Sequence, residues 1–475
     1  MTHGQADSVM EDTDKQLYWL RNRLAELEYW RDLERGGMDR AIREVHATER
    51  RLLAEPQLGR DIERQGRRSA ARGVGRAGCM SRRAELMGRL IDFSRIENDG
   101  RLRAALGRIG QEFSRLRFPE TMATLMKSSD PHRRRRALVC MAGAGAALEP
   151  QCRDMVRLAN AVAEQCGYAG YVEAKLSFEG LTGAEVGALF RRWRDRLMPV
   201  WREATSDATR RWGSEIPPHD LLYALNTGGR AQEAICRRSA CDGVMIRLLE
   251  RLGAPLEAWP VYISRAKIPF NGACYRVQPG RDVRILLSRA LTGYAACFYL
   301  FHEFGHAAYY SHCPQGSEML IDSQLSREIV AEIWTRFLQN AEFLSELTSL
   351  DSRRAEAVVA ARARYDGCRL LLTIRDSMFT FEVFRDPERP WSDVWSQVTD
   401  EWLGQGDPSG AFDIYDMPNP MDTKNYAIAQ AVATEWFEEA LRRCGGRLSP
   451  LLLEAMVARL YHPGNLKDWQ DKFTW

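Results

Sequence analysis

Two histidines stand four residues apart in His302-Glu-Phe-Gly-His306, with Glu303 directly after the first. On a helix this spacing puts both imidazoles on one face, about one turn apart, where they can grip a single metal ion. Glu303 then points toward the same ion without ligating it, where a general base for an attacking water has to sit. Zinc, one ion, is the expected metal for this pattern. The flanks suit a buried helix: Tyr294 to Phe301 and Ala307 to Tyr310 are apolar and free of proline.

Such a site needs a third protein ligand. Downstream, Ser326-Arg-Glu328-Ile-Val-Ala-Glu332-Ile-Trp reads as a second helix, with Glu328 and Glu332 on one face. One carboxylate can bind the metal while the other accepts a hydrogen bond from a ligand imidazole and sets its tautomer. The competing reading is a solvated acidic face paired with Arg327 and Arg336. The interleaved Ile329, Val330, Ile333 and Trp334 argue for burial instead.

From Ser128 to Gly446 the chain resembles the helical gluzincin metallopeptidases: the angiotensin-converting-enzyme family and the related oligoendopeptidase and thimet-oligopeptidase families. The residues that carry the resemblance are Cys166-Gly-Tyr-Ala-Gly-Tyr171, Gly280-Arg-Asp-Val-Arg-Ile285, His302 to Tyr310, Glu328 to Leu344, and Met417 to Tyr426 followed by Trp436-Phe-Glu-Glu-Ala-Leu441. The resemblance implies a mainly α, two-lobed fold with a deep cleft and a small β-hairpin or sheet beside the zinc helix. In the converting-enzyme branch the matching ligand is Glu328, with Glu332 as its supporting acid; the oligoendopeptidase pattern would make Glu332 the ligand. Tyr426 matches the tyrosine that donates a hydrogen bond to the oxyanion, a contribution typically worth about 10²–10³ in rate.

The departures from that family concern substrate binding. Asp416 and Asn271 stand where the family has substrate-binding histidines. Ile414 and Thr423 replace the lysine and tyrosine that hold a substrate's terminal carboxylate. Asn271, Asp416 and Thr423 are thus candidates for the substrate cleft, and cleavage is expected not to depend on a free terminal carboxylate. The resemblance implies hydrolysis of an amide or peptide bond in a short peptide or peptide-like metabolite. A specialised enzyme acting on one small metabolite, or a binding protein on a peptidase fold, are the alternatives; an intact Glu303 speaks against the last.

The elements that must position these residues read as helices almost throughout. Leu17, Leu20, Leu24 and Leu27 recur at helical spacing before Gly36-Gly37, and Val186 to Leu197 and Ala355 to Tyr365 read the same way. Ser129-Asp-Pro signals a helix start. Only Tyr275 to Leu287 alternates like strand, with Gln278-Pro-Gly-Arg as a turn. The 475 residues are expected to form one two-lobed domain, with parts 1–127, 128–446 and 447–475.

A net charge of +3 favours no particular partner, and the basic runs Arg64 to Arg76 and His132 to Arg136 lack the interleaved aromatics of a single-strand binder, so no nucleic-acid partner is expected. Eleven scattered cysteines without a CxxC do not form a disulfide framework, and the polar N-terminus lacks a signal core. No apolar run approaches a membrane span. A cytoplasmic protein with reduced thiols is the expectation.

Overall fold

The computed structural model describes the chain except residues 1–2, 35–36, 56–57, 61, 63–75, 117–120, 122–123, 126–127, 213–219, 221–222, 225–239, 349, 405–413, 415, 468 and 474–475. The first basic run falls almost wholly outside the described residues. The protein is mainly α with one small sheet. Its residues form two compact units: Met1–Ser94, Gln232–Ala355 and Val432–Trp475 in the first, Arg95–Ala231 and Glu356–Ala431 in the second. The units therefore cut across the linear parts expected from sequence, because each closes on segments distant in the chain.

In the first unit, α1 (His3–Glu34) and α2 (Asp39–Leu53) lead to α5 (Ala240–Arg251), then to the sheet, α6 (Gly293–His312) and α7 (Gln324–Arg336). The expected hairpin is present as β2 (Gly272–Gln278) against β3 (Asp282–Ser288), and the amide of Arg281 closes its turn on the Gln278 carbonyl at 2.9 Å. A third strand escaped the sequence reading. Strand β1 (Val261–Ala266) runs parallel to β3 and puts it at the centre, in the order β1-β3-β2. Val283, Ile285, Leu286 and Leu287 of β3 are all buried, so this strand loses the clean alternation of a half-solvated one.

Helix α1 covers the hairpin. Tyr29 meets Tyr275 edge-on at 5.5 Å between ring centroids, its hydroxyl lies 3.0 Å from Ser264 Oγ, and Tyr275 donates to Asp32 at 2.7 Å. The C-terminal part of α1, through Ala25 and Tyr29, thus supplies one wall for the strand next to the HExxH helix. Beneath that helix, Phe304, Trp334 and Trp259 pack edge to face and Trp334 donates to the Tyr461 hydroxyl at 2.9 Å, which satisfies the buried indole.

In the second unit, α3 (Pro131–Gln165) starts at Asp130, whose carboxylate caps the amides of His132 and Arg133, as the sequence signal implies. Arg134, from the second basic run, is buried and bonds Asp220 at 2.7 Å, a structural use of that charge. Val186 to Leu197 lies within α4 (Gly183–Trp212), and Ala355 to Tyr365 within α8 (Ser352–Arg385), which starts in the first unit. Helix α9 (Thr423–Arg443) begins in the second unit and ends in the first.

Candidate metal centre

Helix α6 is apolar on nearly every side and buried, as its flanks require. Helix α7 is capped by Ser323, whose hydroxyl accepts from the Ser326 amide, and it too is almost wholly buried. What lets the two helices touch is Gly305. A Cβ there would stand 2.6 Å from the Cα of Ala331, so a side chain at this position would push the helices apart. Gly305 precedes His306, and Ala331 lies between Glu328 and Glu332. The contact point is therefore framed by the groups that have to meet.

They do meet. His302 Nε2 lies 3.5 Å from Glu328 Oε2, and His306 Nε2 lies 3.8 Å from Glu328 Oε1. One donor atom from each of the three residues falls within 4.8 Å of the other two. Tetrahedral bonds of zinc to nitrogen and oxygen separate neighbouring ligand atoms by about 3.4 Å, so the donor set closes around one ion with small adjustments. Glu328 Oε2 is buried and has no hydrogen-bond partner among the described residues, which a coordinated cation would remedy. The residues fit the metal.

Glu332 has different neighbours. Its carboxylate is buried, accepts from Arg336 at 2.8 Å and Thr335 at 3.2 Å, and sits 3.4 Å from His302 Nδ1. His302 thus faces Glu328 with one nitrogen and Glu332 with the other. The partnership with Arg336 is real, and it coexists with the approach of Glu332 to His302. Arg327, by contrast, donates to the Tyr310 hydroxyl and to no glutamate of this face.

The electrostatics separate two imidazoles of the same motif. Burial pushes His306 down to about 4, leaving a neutral ring able to ligate. Burial also opposes charge on His302, but Glu328 and Glu332 outweigh it and hold that imidazole well above its ordinary value. Glu332 is lowered to about 2 because His302, Arg336 and Thr335 overcome its burial. Glu303, with 6% of its surface exposed, is raised to about 7, chiefly by burial. The tight fit around it comes from β2: a Cβ on Gly272 would lie 3.0 Å from Glu303 Cγ and 2.9 Å from Leu287 Cδ2. Neither Gly272 nor Gly305 stands out in the sequence, since a glycine needed for close approach carries no local signature.

The remaining predicted residues fall in separate places. Asn271 is exposed, next to Gly272, and its carbonyl accepts from the Ser288 amide at 2.8 Å. Tyr426 is 43% exposed on the first turn of α9, in the second unit. Asp416 and Thr423 belong to that unit as well, and they bond each other. Asp416 is buried and accepts from the Met421 amide at 2.9 Å, the Thr423 amide at 3.0 Å and the Thr423 hydroxyl at 2.8 Å. Asp416, expected in the substrate cleft, directs these bonds to the turn that starts α9. Ile414 is fully buried.

Comparison with known proteins now bears on the fold. No family model matches the chain, and no curated protein is similar to it in sequence. Among solved structures, Trypanosoma cruzi metallocarboxypeptidase 1 is similar over 99% of this chain and 95% of its own, with a TM-score of 0.67 at 14% identity. The M32 carboxypeptidase from Deinococcus radiodurans R1 matches over 99% and 94%, with a TM-score of 0.66 at 14% identity. A structure carrying the name oligoendopeptidase F matches over 99% and 92%, with a TM-score of 0.63 at 14% identity. The likeness is one of fold: this chain has the mainly α fold of those metallopeptidases. No helix of the described residues is long and apolar enough to cross a membrane.

Proposed function

We propose that this protein is a zinc-dependent hydrolase that cleaves an amide or peptide bond in a short peptide or peptide-like metabolite. The observation that carries the reading is the convergence of His302, His306 and Glu328 within 4.8 Å, with a buried carboxylate, Glu303, next to His302 on the same helix. In this reading His302, His306 and Glu328 hold the ion, and Glu332 steadies the His302 ring through Nδ1. Zinc bound there would supply Lewis-acid polarisation of the attacking water and of the scissile carbonyl. Glu303 takes the proton of that water on its carboxylate and delivers it to the leaving nitrogen. Tyr426, by the family resemblance, donates its phenol hydrogen bond to the carbonyl oxygen as negative charge develops. The cytoplasm, with reduced thiols, is the proposed location.

A narrower reading, an enzyme dedicated to one metabolite, is favoured by the commitment of Asp416 and Thr423 to each other. Neither is left as the terminus-binding group of a general exopeptidase.

The test separates ligand from base. Protein purified without chelator is expected to contain one zinc ion per chain. His302→Ala loses it, whereas Glu303→Gln keeps it and loses about 10²–10⁴ in kcat on a panel of blocked dipeptides and related amides. Glu303 must be ionised to accept the proton, so activity falls as pH drops through its pKa. A bound cation lowers that value, which places the acid limb below the about 7 of the metal-free site. Near-wild-type turnover by Glu303→Gln would refute the mechanism.

A further inference from the structure

Helices α6 and α7, which carry the three residues of the candidate metal centre, are joined by residues 313–323. This linker has no regular structure, yet Ser317 to Asp322 is buried except at Leu320. Loops normally run over the surface, where water satisfies their backbone groups, and a buried one needs partners from the rest of the protein. Here they come from α1 and from the C-terminal part. Asp14 of α1, 1% exposed, accepts from the Met319 amide at 3.0 Å and from the Ser317 hydroxyl at 2.6 Å. The Asn465 amide donates to the Leu320 carbonyl at 2.9 Å. The approach is close: a Cβ on Gly464 would stand 2.2 Å from that carbonyl oxygen, at a φ of 50° that glycine adopts freely.

Asp322 ends the linker just before the Ser323 cap of α7, and it is 4% exposed. Its amide donates to the Tyr309 hydroxyl of α6 at 2.7 Å. Its Oδ2 pairs with Nζ of Lys472, 1% exposed, on the short helix α10 (Trp469–Phe473). Asp322 Oδ1 is buried with no hydrogen-bond partner among the described residues. Burial pushes Asp322 up and Lys472 down from their ordinary values. Taking both charges out of water costs about as much as their attraction returns, so such a pair adds little stability. What it supplies is position. An ammonium meets a carboxylate in one placement of α10 against the linker, whereas an apolar contact tolerates sliding.

We propose that Lys472 and Asp322 are positioning residues for the metal centre: α10 latches the linker and thereby sets Glu328 against His302 and His306. Glu328 follows Asp322 within two turns, on a helix that is almost wholly buried and so moves as a rod. A displacement at Asp322 therefore reaches the Glu328 carboxylate. Tyr309, which receives the Asp322 amide, stands three residues after His306 on α6, so the same tie fixes the start of α7 relative to the imidazoles. Residues 447–475 lie outside the family resemblance, and this is a role for them in the site. The inference deepens the hydrolase reading and rests on it where it concerns the metal.

The test uses the full chain in metal-free form. Asp322→Asn and Lys472→Met are combined, because removing one charge alone leaves the other buried and unpaired, enough to unfold a marginally stable chain. The double variant is expected to keep its midpoint in denaturant while amides of residues 313–329 exchange with solvent faster, since a tie that holds position raises the free energy of local opening. Titration against a chromophoric zinc chelator is expected to show zinc bound about 10–100-fold more weakly, the range for groups that orient ligands from behind. A purely structural role would instead lower the midpoint and leave the zinc affinity of the folded fraction unchanged. That result overturns the proposal, as does unchanged exchange in 313–329 or a zinc affinity equal to that of wild type. Wild-type protein that takes up no zinc sinks the hydrolase reading, and the exchange rates of the metal-free proteins then still decide whether the pair holds the linker.

Discussion

The α6–α7 cluster and the turn ahead of α9 both withdraw carboxylates from water, and they treat them in opposite ways. At Asp416 both oxygens are supplied with donors by the local backbone and by Thr423. That turn also holds Met421 at φ 75°, a left-handed conformation rare for a residue with a side chain. The bonds to Asp416 fasten this strained turn, and each of its oxygens has a donor. At Glu328 the carboxylate faces two imidazoles at 3.5 and 3.8 Å, yet its Oε2 accepts no hydrogen bond. A buried carboxylate with full partners builds the fold; one whose neighbours are ligand-type nitrogens and whose oxygen is orphaned is arranged for something that binds.

The largest expected effect tests that contrast directly. Glu328→Ala should abolish stoichiometric zinc binding, measured by metal titration after chelation. Retention of tight zinc would mean that the orphaned oxygen is not a ligand and that the contrast is false. Tyr426→Phe, on the helix that the Asp416 turn begins, should lower kcat by about 10²–10³ with little change in KM. A large rise in KM with kcat intact would instead make Tyr426 a ground-state binding residue. Glu332→Ala should weaken zinc by about 10–100-fold, the effect of removing an acid that supports a ligand imidazole, the role proposed for Glu332. If it weakened zinc more than Glu328→Ala did, the two glutamates would exchange roles. The smallest effect belongs to the satisfied site. Asp416→Asn keeps the shape of the turn but loses the charge on its hydrogen bonds, and should cost about 1 kcal/mol in denaturant unfolding. Zinc affinity should be unchanged; a coupled loss of zinc would tie the turn to the metal site.

Local spacing made part of this protein legible. The positions of His302, Glu303 and His306 follow from helical periodicity alone, as does the common face of Glu328 and Glu332, since residues four apart on a helix are neighbours whatever surrounds them. The hairpin was readable for the same reason, from alternation and the Gln278-Pro-Gly-Arg turn. Asp130 could be read as a cap because a cap acts on the next two or three amides. The different surroundings of Glu328 and Glu332 were not legible from spacing, which is equal for both. They follow from how α7 lies on α6, and that depends on the absence of a Cβ at Gly305. Strand β1 was hidden because parallel pairing joins segments with no turn between them.

The ion pairing of Glu318 lay furthest from the sequence. Arg21 and Glu318 are 297 residues apart, and no local pattern announces their contact. The helix spacing of the metal motif belongs to the sequence itself. Which carboxylate oxygens are left without donors is a property of side chains that only tertiary packing brings together, because desolvation and pairing depend on every neighbour at once.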